Sequence, residues 1–263
     1  MGNTFFKINL IAAFLLCSFA EAQLFRTKDR MDNLEAFDEQ KFSYGFYLAA
    51  NNFDYKLVLH PKFGMSENGQ KNLVQTKAAY SFGAGLIGKL RLNDHFDLRI
   101  EPGLQFVERE IIFDTQANDR FFAGTPANQP FVPRPLTDAD KLRTVKSTYV
   151  DIPLLIEVHG DRWYNSRPYA AAGVNWMMNL QSNSKSIDDN QLGVFRTTTS
   201  NFAWSAELGM QFYFSRFKLT PGFRGTFMIN NESVADDAAT PPYWSDAISS
   251  AKSRAFMFVL KFE

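Results

Sequence analysis

From Phe42 onward the chain repeats one pattern: an apolar side chain, then a polar or small one, at a period of two. In the first segment Phe42, Tyr44, Phe46, Leu48 and Ala50 share one face, and Ser43, Gly45, Tyr47 and Ala49 the other. The segment at 96–109 is the clearest. There Phe96, Leu98, Ile100, Leu104 and Phe106 alternate with Asp97, Arg99, Glu101 and Gln105, and Arg109 follows Val107. Similar stretches run at about 78–92, 148–158, 169–178, 202–212, 217–229 and 255–262. A period of two puts successive side chains on opposite faces of a strand, so eight two-faced strands are predicted. Slipping the 96–109 strand by one residue would turn Asp97, Arg99 and Glu101 to the apolar side. If that side meets lipid, each Arg or Lys costs ~2–4 kcal/mol at mid-membrane, and acids somewhat less, which pins the register.

The connections between these strands alternate in length. Those at 93–95, 159–166 and 214–216 are short; those at about 51–77, 114–143, 181–200 and 230–253 are long, polar and rich in Asn, Asp, Ser and Pro. Bacterial outer-membrane barrels have short periplasmic turns and longer outer loops. The predicted fold is therefore all-β: an eight-stranded antiparallel transmembrane β-barrel in the outer membrane, spanning residues 41–263. An even strand count places both termini in the periplasm. Phe96, Trp163, Tyr164, Phe214 and Phe217 lie near the short turns, where a membrane-interface girdle is expected. A soluble sandwich would show the same alternation, but it explains neither the loop lengths nor the composition.

That composition includes 27 Phe, 9 Tyr and 4 Trp in 263 residues, while the mean hydropathy is slightly negative. A chain both aromatic-rich and polar on average suits strands with lipid on one side and a polar interior on the other. Formal charge is balanced at 28 basic and 28 acidic residues, and no basic run suggests nucleic-acid binding.

Residues 1–22 read as a signal peptide: Lys7, then an apolar stretch from Ile8 to Phe19, then Ala20-Glu21-Ala22 as a small-x-small cleavage site. Cleavage between Ala22 and Gln23 is expected, with 23–40 as a periplasmic lead-in. The apolar stretch is too short to span as a helix. Cys17 follows Leu15-Leu16, too bulky for a usual lipidation site, and the mature chain then holds no cysteine.

Arg99, Glu101, Arg109, Asp151, Glu157, Glu207, Lys218 and Arg224 fall on the inward face and supply both signs of charge. Because buried charges need partners, they are expected to form a neutralising network that plugs the lumen. Gly45, Gly83, Gly85, Gly103, Gly173, Gly209 and Gly222 share that face. Pro102, Pro153 and Pro221 each remove a ladder donor, so local bulges are expected there. Leu98-Arg-Ile-Glu-Pro-Gly-Leu104 parallels Phe217-Lys-Leu-Thr-Pro-Gly-Phe223, which suggests repetition at the level of the hairpin.

Candidate chemistry is thin. His60, His95 and His159 lie in loops or turns, with His60 at the opposite strand ends from the other two. No Ser/His/Asp set recurs at one strand end, as a barrel hydrolase or acyltransferase would need. Asp188-Asp189 and Asp236-Asp237 lack the spacing of a calcium loop. No enzyme activity, cofactor, metal or small-molecule substrate is expected. The 114–143 connection, with Phe121-Phe122, Phe131 and prolines 126, 130, 133 and 135, is either a docking surface or a flap over the barrel mouth.

Several stretches resemble one family. Ser147-Thr-Tyr-Val-Asp-Ile-Pro-Leu-Leu155, Asn165-Ser-Arg-Pro-Tyr169 with Gly173, Pro102-Gly103-Leu-Gln-Phe106 with Glu108-Arg109, and Phe212-Tyr-Phe-Ser-Arg-Phe-Lys218 are similar to segments of the PorT (SprT) family of Bacteroidetes. The resemblance covers about 40–263, with 23–39 weakly matched. It implies a barrel of the type IX secretion system, which supports protein secretion and gliding motility. Its partners would be outer-membrane lipid and other secretion proteins, met through loops or periplasmic turns. It carries over no catalytic or ligand residue. A generic small barrel for adhesion or envelope integrity remains the alternative, and a lipid-modifying enzyme the third.

Overall fold

A computed structural model describes residues 33–61, 64–66, 69–113, 137–185, 195–235 and 244–263. The alternating segments become strands β1 (Phe42–Leu59), β2 (Val74–Arg91), β3 (Phe96–Ile100), β4 (Gly103–Phe113), β5 (Leu142–His159), β6 (Ser166–Asn179), β7 (Ser200–Tyr213), β8 (Lys218–Met228) and β9 (Ile248–Phe262). All pairings between them are antiparallel, and β1 pairs with both β2 and β9, so the sheet closes on itself. β3 and β4 each pair with β2 on one side and β5 on the other. They are two halves of one stave, and the ring has eight. No helix among the described residues is long and apolar enough to cross a membrane.

The bulges expected at the prolines are absent, for a simple reason. Ile100 pairs with Leu154 and Gly103 with Asp151, so the register runs unchanged across Pro102 and past Pro153. At that point the Glu101 N–H donates to the Pro153 carbonyl at 3.2 Å, and the Leu86 N–H to the Pro102 carbonyl at 2.9 Å. Each proline removes one bond of a reciprocal pair and leaves the other, which interrupts the stave without inserting a residue. Pro221 likewise sits in an unshifted ladder opposite Leu260. The register shifts fall elsewhere, in β2 between Ala78 and Gly83 and in β1 at Val58/Leu59.

The strands also run further toward the long connections than the apolar pattern indicated: β1 reaches Leu59, β2 begins at Val74, β5 at Leu142 and β9 at Ile248. In these extensions the pattern inverts. Tyr55, Leu59, Val74, Ile111, Val145 and Ala251 point inward into an apolar cluster. Outside stand the charged pairs Asp54–Arg254 (2.7 Å), Lys77–Glu110 (3.3 Å) and Lys146–Glu108 (3.8 Å). A strand needs only ~9–11 tilted residues to cross the hydrocarbon core. Beyond that height the barrel wall follows the rule of a soluble protein, apolar in and polar out. Phe195 and Trp244, from the β6–β7 and β8–β9 connections, complete the inner cluster, and the Arg143 guanidinium lies 4.1 Å from the centre of the Trp244 ring.

Below that level the faces are as the alternation predicts. Phe42, Phe46, Leu48, Phe82, Leu86, Ile156, Val174, Leu208 and Phe223 are exposed on the outside, whereas Arg99, Glu101, Arg109, Asp151, Glu157, Glu207, Lys218 and Arg224 are buried. Phe96, Trp163, Tyr164, Phe214 and Phe217 are exposed around the short-turn end. The short helix α1 (Asp138–Lys141) leads into β5. Most of the proline-rich 114–143 connection, with its Phe residues, lies outside the described residues, as do Ala22 and Gln23.

The parallel Pro-Gly segments acquire a structural meaning. Gly103 faces Gly85 across β4–β2, and Gly222 faces Gly209 across β8–β7. The Tyr47 ring lies against the first glycine pair and the Tyr169 ring against the second; a Cβ on Gly209 would stand 2.7 Å from the Tyr169 Oη. In both cases the absent side chains make room for a buried tyrosine within a narrow lumen.

Candidate functional site

The interior is a stack of charge-balanced layers. At its centre Arg99 (β3), Arg224 (β8) and Lys261 (β9) face Glu101 (between β3 and β4), Glu157 (β5) and Glu207 (β7), three cations against three carboxylates, all buried. Arg99 reaches Glu101 through Nε at 2.7 Å and Glu207 through Nη2 at 2.8 Å, and also pairs with Glu157. Arg224 binds Glu207 through Nε at 2.7 Å and pairs with Glu101. Lys261 pairs with Glu207 and lies 3.4 Å from Glu101. The Glu101–Arg224 contact joins staves on opposite sides of the ring, so the network bolts the walls together across the lumen. Tyr169 Oη donates to Glu207 at 2.7 Å, and Gln211 Nε2 to Glu157 at 2.6 Å.

Of the eight residues singled out from the sequence, five meet in this layer: Arg99, Glu101, Glu157, Glu207 and Arg224. The other three lie elsewhere. Lys218 pairs with Glu263 nearer the short-turn end, where Lys89 bridges Asp97 at 3.6 Å and Glu263 at 3.4 Å. Arg109 sits nearer the long connections, donating to Ser147 Oγ and Tyr149 Oη at 3.1 Å each and to Ser253. Tyr149 and Ser253 in turn donate to Glu232, so Arg109 and Glu232 balance through shared hydroxyls. Asp151 stands apart, with one oxygen accepting from Asn175 Nδ2 at 2.9 Å. Lys261, Lys89 and Asp97 share the inward parity and were legible on that ground. Glu232 enters from a long connection and had no periodic signal.

Both ends of the lumen are filled. At the long-connection end stands the apolar cluster with Trp244 and Phe195. At the other, residues 34–41 fold beneath the strands in a short 3-10 turn (Glu35–Phe37). Asp38 accepts from Tyr213 Oη at 2.9 Å and pairs with Arg167 at 3.4 Å and Arg162 at 3.8 Å, while the Lys218 ammonium lies 4.8 Å from the centre of the Phe37 ring. The histidines do not converge. His159 Nε2 lies 3.2 Å from Asp97, with the His95 ring 6.5 Å away, and His60 follows β1 at the far end. Among the described residues no group of three or more His, Cys, Asp or Glu is arranged to hold a metal ion.

A closed eight-stave ring, apolar outside with ionic layers within below the strand extensions, therefore defines the molecule. The family model for the outer membrane protein beta-barrel domain matches residues 22–234. The chain belongs to that outer-membrane barrel family. Membrane lipid is thus its immediate surroundings and the outer membrane its location. Solved structures to which this outer-membrane barrel is similar include OprG of Pseudomonas aeruginosa (10% identity, TM-score 0.40, 83% of this chain and 93% of that one covered). Neisserial surface protein A is similar at 10% identity and TM-score 0.40, covering 84% and 98%. Ail of Yersinia pestis, solved with a heparin analogue, follows at 9% identity and TM-score 0.34, covering 85% and 99%. No curated protein matches the barrel.

Proposed function

We propose that this barrel is a non-enzymatic component of the type IX secretion machinery, needed for export or assembly, which works through protein contacts at its loops and periplasmic turns. The observation that carries the reading is the filled interior: a buried network joining opposite walls, closed by apolar and lead-in residues at the two ends. A barrel with such a core offers its surface, not a conduit. What supports the secretion system in particular is the resemblance to the PorT family, whose segments fall on β5, on β6 with its preceding turn, on β4, and on the β7–β8 turn. In this reading the signal peptide ends at Ala22, both termini and the short turns lie in the periplasm, and the long connections face outward.

Deleting the gene and assaying export of cargo with C-terminal sorting domains tests it. Loss of export, restored by the gene supplied in trans, is expected. Normal export with altered surface attachment would replace it with an adhesion or envelope role, and altered lipid A with an enzymatic one.

A further inference from the structure

The outer wall carries an apolar groove of about 590 Å³ across β1, β9, β8 and β7. Its floor is small, from Ala50, Ala206 and Gly225, and its sides are aromatic, from Trp204, Phe227 and Phe256. Trp204 stacks on Phe227 at 4.6 Å between ring centres, and Phe227 meets Phe256 edge-on at 5.9 Å, so the walls are braced by each other. Asn52, also on the lining, is a polar residue on a lipid-facing wall, and its side chain has no hydrogen-bond partner among the described residues. A hydrogen-bonding group at the upper rim of an apolar slot can hold the polar linkage of an amphiphile seated in it.

Directly above the groove on the same two strands, Asp54 and Arg254 pair with each other at 2.7 Å. One step higher Lys56 stands opposite Lys252 in the β1–β9 register, both pointing outward. Like charges facing each other across a ladder destabilise it. Neither lysine has an ion-pair partner among the described residues, and the register sets the two like charges side by side on the wall. From Phe256 to Lys252 the strand climbs about 13 Å. A narrow apolar slot, a hydrogen-bonding group at its rim and a pair of cations about one headgroup above it match the parts of a single amphiphile.

We propose that this wall holds one molecule of a phosphorylated glycolipid of the lipid A class, with an acyl chain in the groove, its ester or amide linkage at Asn52, and a phosphate between Lys56 and Lys252. An apolar slot on the lipid-facing wall, with its cations just above it on the water side, favours an amphiphilic lipid over a polypeptide. Naming an outer-leaflet lipid rests on the orientation proposed above; the match of groove and cations does not.

The test uses the purified full chain in phosphatidylcholine nanodiscs, titrated with bis-phosphorylated lipid A and read by native mass spectrometry. One retained lipid A per barrel is expected, with binding weakened roughly 10-fold or more for dephosphorylated lipid A and no binding of inorganic phosphate alone. Lys56→Gln with Lys252→Gln should weaken lipid A to the dephosphorylated level. Gly225→Leu should abolish retention of both lipids; a Cβ there meets only ring atoms, of Phe227 at 3.0 and 3.4 Å and of Phe256 at 4.0 Å. Should Gly225→Leu misfold, the double lysine variant, which removes no contact among the described residues, decides alone. Absence of saturable binding, equal binding of the two lipids, or an unchanged double variant would overturn the proposal. So would a photo-cross-linker at position 52 that captures protein instead of lipid in cells. Nanodiscs offer both leaflets, so a failure here leaves the orientation and the secretion role standing. Cysteine labelling of the 93–95 turn in intact cells examines orientation separately.

Discussion

Replacing Glu207 by Gln should destabilise the barrel far more than any change to its surface. Glu207 accepts hydrogen bonds from Arg99 Nη2 at 2.8 Å, Arg224 Nε at 2.7 Å and Tyr169 Oη at 2.7 Å, and pairs with Lys261. All of these groups are buried. Gln keeps the shape but turns an acceptor into a donor facing a guanidinium, and leaves three buried cations against two carboxylates. Removing one partner of a buried pair costs ~3–5 kcal/mol. At about 1.4 kcal/mol per tenfold, the folded population relative to unfolded falls by roughly 10² to 10⁴. Urea unfolding in lipid vesicles, followed by tryptophan fluorescence and by the folded band on unheated gels, measures the difference. Lys146→Gln serves as the reference: its 3.8 Å pair with Glu108 is 68% and 48% exposed, and its loss should cost under ~1 kcal/mol. A Glu207→Gln barrel as stable as that reference would refute the reasoning, because it would mean that water reaches the freed cations and the lumen is not a packed core.

Three further outcomes follow from the same contacts. Gly222→Val should drive the Tyr169 ring from its seat, at a cost of roughly 1–3 kcal/mol in thermal stability, and adding Tyr169→Ala should recover part of the loss. Glu232→Ala removes the acceptor for Tyr149 Oη and for the Ser253 N–H, each at 2.8 Å; a loss on the order of 1–3 kcal/mol is expected, with earlier protease cleavage near 230–235. Asp38→Ala should leave global stability almost unchanged but speed amide exchange at 37–41, since the bonds it breaks tie down only the lead-in.

The membrane-embedded half of this fold was legible because lipid imposes one rule on every stave: apolar out, polar in. Phe96 to Phe106 state that rule without exception, and the strand faces follow from it. The rule also misled where it ceased to apply. Tyr55, Leu59 and Val74 face inward while Asp54, Lys56 and Lys77 face water, so a pattern read for lipid took these strand extensions for loop. The prolines misled for a different reason. A missing donor was expected to force a bulge, but each antiparallel pair has two bonds, and the surviving one at Glu101 and at Leu86 holds the register. For the lumen charges, parity gave the face but not the height along the axis. Arg99, Glu101, Glu157, Glu207 and Arg224 meet because strand stagger brings them level, whereas Arg109 and Lys218 share their parity and sit in other layers. The Lys56–Lys252 pair likewise depends on the β1–β9 register, which joins the first and last strands of the chain and leaves no trace in local sequence.

The most direct examination of the closed interior is electrical. Purified protein inserted singly into a planar bilayer at neutral pH should give no discrete conductance steps above the bare membrane, and Glu207→Gln, if it inserts, should give brief unstable openings. A steady ohmic pore from the wild-type barrel would contradict the account, since ions cannot pass lumen layers that are packed, paired and capped.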